Sequence, residues 1–210
     1  MSLPDEASTG LILASASPRR RELLGLLGLA FEVIPSAYEE PAPERHRDPS
    51  GFAEHLAVEK ALDVARRHRG RLVIGADTVV AMGGRLYGKP SDREDAARML
   101  RELSGRAHHV TTGVALVCAA CERCPETIES FHVRTEVRFR ALLEPEIRAY
   151  VATGEPMDKA GAYGIQGHGG LLIESIAGDY PNVVGLPLTP LALRLRARGL
   201  SILGLPETAP

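Results

Sequence analysis

The apolar run Leu11-Ile12-Leu13-Ala14 meets Ser15-Ala16-Ser17-Pro18-Arg19-Arg20 with no loop between them. That junction leaves a chain few options: a buried strand must turn directly into a helix N-terminus. Ser17 suits the N-cap, and Pro18 suits the first helical position, where no backbone N–H is needed. The helix then runs through Glu22, Leu23, Leu24 and Leu27. Its start presents unpaired backbone N–H groups and the positive end of the helix dipole. Two Ser hydroxyls and two guanidinium groups are added there, a combination suited to a polyanion such as a phosphate chain. On these residues alone, an N-capped surface helix that merely carries arginines fits as well.

Strand and helix patterns continue to alternate. A short strand at Phe31–Pro35 precedes a Pro-rich, acidic loop from Ser36 to Ser50. Helical spacing of Ala53, Leu56, Ala57, Ala61 and Val64 predicts a helix from about Gly51 to His68. Arg71 to Asp77 reads as a buried strand ending in a carboxylate, and Gly83-Gly84 marks a hairpin between Thr78-Val79-Val80 and Arg85-Leu86-Tyr87. Ser91 with Glu94 reads as a capping box for a helix that stops at Gly105. Two β-rich runs follow at His109–Ala119 and Thr127–Arg140, then a helix from Pro145 to Gly154. Next come a glycine-dense stretch from Gly161 to Gly170, a strand at Leu171–Ile176 and an amphipathic helix at Leu188–Ala197. This mixture predicts one α/β or α+β domain over residues 10–200, with a disordered tail at 1–9 and a second tail at 201–210.

Composition excludes several functions. The net charge is −2, so no field favours polymeric nucleic acid. No apolar run approaches the ~20 residues of a membrane helix. Ala14-Ser15-Ala16 imitates a signal-peptide cleavage site, but the apolar stretch is short and Asp5 and Glu6 stand where cations belong. A cytoplasmic protein is expected. Cys118, Cys121 and Cys124 form C-x-x-C-x-x-C with no obvious fourth ligand, and reduced thiols near a hairpin tip are the expectation.

Asp77, closing an apolar strand, is the principal catalytic candidate. α/β sheets place ligands beyond the carboxyl ends of their strands, where a carboxylate can deprotonate water or hold a divalent cation. An Asx-turn acid closing the hairpin is the structural alternative. Lys60, Lys89 and Lys159 are the only lysines in a chain that otherwise uses arginine. Glu39 and Glu40 offer paired carboxylates in the Pro-rich loop. Gln166, within Tyr163-Gly164-Ile165-Gln166-Gly167, has both a donor and an acceptor, and so matches a uracil or thymine edge.

These residues resemble the Maf family of nucleoside triphosphate pyrophosphatases. The matching segments are Ser15–Arg20, Ala57-x-x-Lys60-Ala61, Gly75–Val80, Gly88-Lys89-Pro90, Leu103-Ser104-Gly105, Thr112-Gly113-Val114, Asp158–Gly167 and Gly178–Pro187. The resemblance implies a two-lobed mixed-sheet α/β fold around a central cleft, similar to that of inosine triphosphate pyrophosphatases. It implies hydrolysis of a nucleoside triphosphate to monophosphate and pyrophosphate, a divalent cation (Mg²⁺ or Mn²⁺) and a homodimer. Asp77 matches the proton acceptor; Ser15, Arg19, Arg20, Lys60 and Lys89 match phosphate-cleft residues; Asp77 and Glu40 would hold the metal. Arg19, Thr78 and Gln166 match the branch acting on dTTP and UTP, with a house-cleaning role on modified pyrimidine nucleotides as the expected setting. The alternatives are a purine enzyme of the 7-methyl-GTP or inosine type, and a nucleotide-binding regulator of cell division.

Overall fold

The computed structural model describes residues 10–41, 48–122 and 125–204. The expected tail at 1–9, part of the Pro-rich loop, Cys124 and residues 205–210 lie outside the described residues. The elements in chain order are β1 (Leu11–Leu13), α1 (Pro18–Gly25), β2 (Glu32–Val33), α2 (Pro49–Ala65), β3 (Leu72–Met82), β4 (Arg85–Tyr87) and α3 (Arg93–Leu103). They continue with β5 (Ala107–Cys118), β6 (Thr127–Phe139), α4 (Glu144–Ala152), β7 (Ile173–Ala177), α5 (Tyr180–Val184) and α6 (Leu188–Arg196). The α/β expectation holds. All strands join one mixed sheet in the order β2-β1-β3-β5-β6-β7, with β4 paired to β3. β1 runs parallel to β2 and β3; β4 and β5 run antiparallel to β3, and β6 and β7 complete an antiparallel meander.

β3 is the central strand, and its side chains alternate between two cores. Val73 packs with Ala57 and Ala61 of α2, and Val79 and Ala81 pack with Phe52, Ala53 and Leu56. Ile74 and Ala76 face the other way, against Leu23 and Leu24 of α1 and Leu191 and Leu195 of α6. Val80 joins a third cluster with α3, α4, Phe139 and Tyr163.

Helix α2 lies unusually close to the sheet. A Cβ added to Gly75 would sit 2.1 Å from the Ala57 carbonyl oxygen, and one added to Gly113 would sit 2.3 Å from backbone atoms of Ala53. Glycine on two paired strands and alanine on the helix are what allow the approach.

The second constraint is an edge. β1 pairs with β3 only as far as Ile74, and β4 begins pairing at Val80, both on the side away from β5. Residues 75–79 therefore have no strand partner on that edge among the described residues, although β5 covers their other edge. The strand expected to end at Asp77 runs on to Met82, so the carboxylate stands mid-strand with a gap beside it.

Other differences are local. The α3 cap is Asp92, which accepts from the Asp95 N–H at 2.8 Å, while Asp95 reaches back to the Ser91 N–H at 3.1 Å. The cap thus lies one residue later than Ser91, because a carboxylate accepts from a backbone amide more strongly than a hydroxyl does, and among the described residues no reciprocal bond returns to the Asp92 N–H. Helix α5 is too short for its periodicity to show. Gly167–Leu172 winds as a 3₁₀ turn, so β7 starts at Ile173. Residues 201–204 do not leave the body: the Leu203 N–H donates to Leu27 at 2.8 Å and Ile202 packs on the core. Cys118 ends β5, and Cys121 lies beneath Gly70.

Gly75→Ala is expected to destabilise the fold by roughly 1–3 kcal/mol or more, the range for overpacking against atoms that cannot move. Urea denaturation measures it; an unchanged midpoint would show that α2 can retreat from the sheet.

Candidate active site

The open edge of β3 is reached by a side chain from α1. Ser17 caps the helix, accepting from the Arg20 N–H at 3.4 Å, and Pro18 begins it. Arg19 and Arg20 then diverge. Arg19 leans across to Asp158 at 3.5 Å. Arg20 folds inward: Nη1 donates to the Ala76 carbonyl at 2.7 Å, Nη2 to Thr78 Oγ1 at 3.0 Å and Nε to the Gly185 carbonyl at 2.8 Å. A side chain thus satisfies a β3 carbonyl that has no strand partner. Ser15 Oγ accepts from the Ser17 N–H at 3.2 Å and from Arg20 Nη1 at 3.5 Å.

On the opposite face of β3, α2 delivers Lys60. Its Nζ donates to Asp77 Oδ1 at 2.5 Å and to Glu40 Oε1 at 2.6 Å. Asp77 is 7% exposed. Glu40 arrives on the Pro-rich loop, whose start is pinned to α2: Asp63 accepts from Ser36 Oγ at 2.9 Å and from the Ala37 N–H at 2.8 Å.

Electrostatics separate the two carboxyls. Burial pushes the Asp77 carboxyl above the usual range, outweighing Lys60 and Arg20, which pull it down. Burial also raises Glu40, but the Lys60 hydrogen bond and charge win and hold it below the usual range. Burial lowers the Arg20 guanidinium against the pull of Asp77 and Glu40.

The far wall carries Gln166. Its loop is tied down by Glu155: Oε1 accepts from Tyr150 OH and the Gly169 N–H, at 3.0 and 3.1 Å, and Oε2 accepts from the His168 N–H at 3.1 Å. A Cβ on Gly167 would come within 2.9 Å of the same carboxylate, and its φ of 74° also favours glycine. Lys89 is exposed at the rim, in a turn joined to the next wall by the Gly161 N–H donating to Gly88 at 3.0 Å.

All these walls enclose one cleft of about 960 Å³. Ser15, Arg19, Arg20, Glu40, Lys60, Asp77, Thr78, Lys89 and Gln166 all line it, so these residues are brought to one place. Glu39 does not line it. Reading the sequence missed Glu155, Thr112 and Asn182. The last two are wholly buried and hydrogen-bonded to each other. Both stand in segments that carry the family resemblance, but nothing in the sequence gave either a role.

A buried carboxylate beside convergent cations can activate water next to a bound polyanion. Fold and site together define a mixed α/β protein whose cleft sets a buried carboxylate among convergent cations. The chain belongs to the Maf family: the Maf-like protein model matches residues 10–198. It is 54% identical over 194 residues to a dTTP/UTP pyrophosphatase of Moorella thermoacetica, covering 92% of this chain and 97% of that one. It is 48% identical over 202 residues to one of Deinococcus radiodurans, covering 96% and 100%. A probable bifunctional dTTP/UTP pyrophosphatase/methyltransferase protein of Homo sapiens is 49% identical over 187 residues, covering 85% of this chain and 30% of the human protein. A solved nucleoside-triphosphatase (dITP/XTP pyrophosphatase) from Mycobacterium abscessus aligns loosely, with TM-score 0.43 and 17% identity over 90% of this chain and 95% of its own.

Because Lys60 lowers the Asp77 pKa, Lys60→Met is expected to move the acidic limb of kcat/KM to higher pH, on top of any loss of rate. A pH–rate profile checks the sign; a limb that stays in place would remove Asp77 as the group titrating there.

Proposed function

We infer that this chain is a nucleoside triphosphate pyrophosphatase that hydrolyses dTTP and UTP to the monophosphate and pyrophosphate. The observation that carries the chemistry is the convergence of a buried Asp77 with Lys60, Arg19, Arg20 and Lys89 on one cleft. The pyrimidine preference is supported by relatives named dTTP/UTP pyrophosphatase that span nearly the whole chain.

Asp77 accepts a proton from the attacking water. The water oxygen bonds to the α-phosphorus as the bond to the bridging oxygen of the β-phosphate breaks, and pyrophosphate leaves with that electron pair. The raised Asp77 pKa makes it a stronger base than an exposed aspartate. Lys60 holds Asp77 in place, and with Arg19, Arg20 and Lys89 it offsets charge on the leaving group. Such preorganised electrostatics is the main catalytic resource in phosphoryl chemistry.

The residues fit a divalent cation. Asp77 and Glu40 already point at one cationic position, where Lys60 Nζ sits. Among the described residues no group of three or more His, Cys, Asp or Glu forms a metal cage. Mg²⁺ bound through one or two carboxylates plus substrate phosphates matches that donor set. Asp77 and Glu40 would hold it, and when bound it supplies neutralisation of phosphate charge. No described helix is long and apolar enough to cross a membrane. The homodimer and the cytoplasmic setting belong to the same proposal.

Gln166 reads the base edge. Asp77→Asn is expected to lower turnover roughly 10²–10⁴-fold with the fold retained. Quantified monophosphate and pyrophosphate from a nucleotide panel test this, and near-normal rates would sink the assignment.

Gln166→Glu loses an amide donor and adds a charge near a base carbonyl. It is expected to cut kcat/KM for UTP and dTTP about tenfold or more beyond any loss with purine triphosphates. Equal losses for every nucleotide would make Gln166 a structural residue.

A further inference from the structure

Thr78 lies next to Asp77 in sequence but on the opposite face of β3, and its hydroxyl sits inside a directed chain. Arg20 Nη2 donates to Thr78 Oγ1 at 3.0 Å. Thr78 Oγ1 and Thr112 Oγ1 are 2.9 Å apart. Thr112 Oγ1 donates to the Asn182 carbonyl at 2.8 Å. A hydroxyl has one proton, and the Thr112 proton is committed to a carbonyl that only accepts. The proton between the two threonines therefore belongs to Thr78, which has none left for a ligand.

Both ends of the chain are anchored. Asn182 Oδ1 accepts from the Thr112 N–H at 3.1 Å, and Nδ2 donates to the Val110 carbonyl at 3.1 Å and to Thr135 Oγ1 at 2.9 Å. Asp179 Oδ1 accepts the Asn182 N–H at 2.9 Å. Thr112, Thr135 and Asn182 are each 0% exposed, so none of them touches a ligand. At the other end, a guanidinium has five N–H donors. Four of those of Arg20 go to Gly185, Ala76, Ser15 and Thr78, which leaves one on Nη2 without a partner among the described residues. Gly185 closes over the junction: a Cβ there would lie 3.4 Å from Arg20 Nε and 3.5 Å from Thr78 Oγ1.

We propose that Thr78, Thr112 and Asn182 form a positioning relay that fixes the Arg20 guanidinium at the cleft wall, so that Thr78 acts on the phosphate chain through Arg20 and does not read the base. This rests on the reading of the cleft as a nucleoside triphosphate site. It separates Thr78 from Gln166: Gln166 reads the base, and Thr78 sets a cation.

The test compares Thr78→Val, Thr112→Val, Thr78→Ser and the double valine variant. kcat/KM is measured with UTP and dATP, and binding of inorganic tripolyphosphate, which has no base, is followed by calorimetry. Each valine variant is expected to lose roughly 10- to 100-fold in kcat/KM, the range for a hydrogen bond to a charged group. The factor should be the same for both nucleotides, with weaker tripolyphosphate binding. The double variant should fall no further than Thr78→Val, because residues in one network are not additive. Thr78→Ser should recover most of the loss. A changed UTP-to-dATP ratio in Thr78→Val, with tripolyphosphate binding intact, would make Thr78 a base reader and overturn the relay. Wild-type kinetics in Thr112→Val would overturn it too. Should Thr112→Val not fold, Thr78→Val decides alone by the same two readouts. A wild type that prefers dATP would sink the pyrimidine reading yet leave the equal-factor and tripolyphosphate results to judge the relay.

Discussion

Everything at the site depends on how closely α2 approaches the sheet. Backbone atoms of Ala57 and Ala53 lie where the Cβ atoms of residues 75 and 113 would otherwise stand. Two glycines on adjacent strands, facing alanines on the helix, bring the axis of α2 nearer to β3 than larger side chains would permit. Lys60 is on that helix, and Asp77 shares the α2-facing side of β3 with Gly75. The 2.5 Å contact between them is thus a packing result before it is an electrostatic one. A lysine reaching from a more distant helix would sit in water, with its charge screened and Asp77 left open.

The gap in β3's strand pairing does the rest. Where β1 has stopped and β4 has not begun, the strand exposes backbone that a protein must satisfy. Arg20 does so at Ala76, and in doing so becomes a half-buried cation with a fixed direction. The same gap leaves the middle of the strand, from Asp77 to Val80, lining the cleft. Alternation along residues 76–78 distributes the chemistry: Asp77 meets Lys60 and Glu40 on one face, while Thr78 meets Arg20 and Thr112 on the other.

Charge placement follows burial. Asp77 is enclosed enough that its carboxyl is raised despite two cations, whereas Glu40, with Lys60 as partner, stays readily ionised. Two acids on one lysine therefore do different work: one is a base strengthened by its surroundings, the other a stable negative charge. On the far wall, Glu155 accepts from the backbone of the Gln166 loop, adding hydrogen bonds to the packing of Tyr163 and Ile165.

Much of this was legible from local signals. The Leu11–Ala14 run and the Ser17-Pro18 cap marked a strand entering a helix because such preferences act over a few residues. The apolar run before Asp77 marked a buried strand, whereas the phosphate-cleft set of Ser15, Arg19, Arg20, Lys60 and Lys89 followed from the family resemblance and not from local pattern. Helix α5 escaped, since five residues carry too little periodicity, and the α3 cap shifted because the Asp92 carboxylate outcompetes the Ser91 hydroxyl next to it. The sequence by itself determined the alternating elements, the glycines and the stock of charged groups. Tertiary structure alone decided that Lys60 would bridge Asp77 and Glu40, that Arg20 would be committed to backbone, and that Thr78 would donate its only proton to Thr112. Those outcomes depend on distances between segments far apart in the chain, which close packing sets and local preference does not encode.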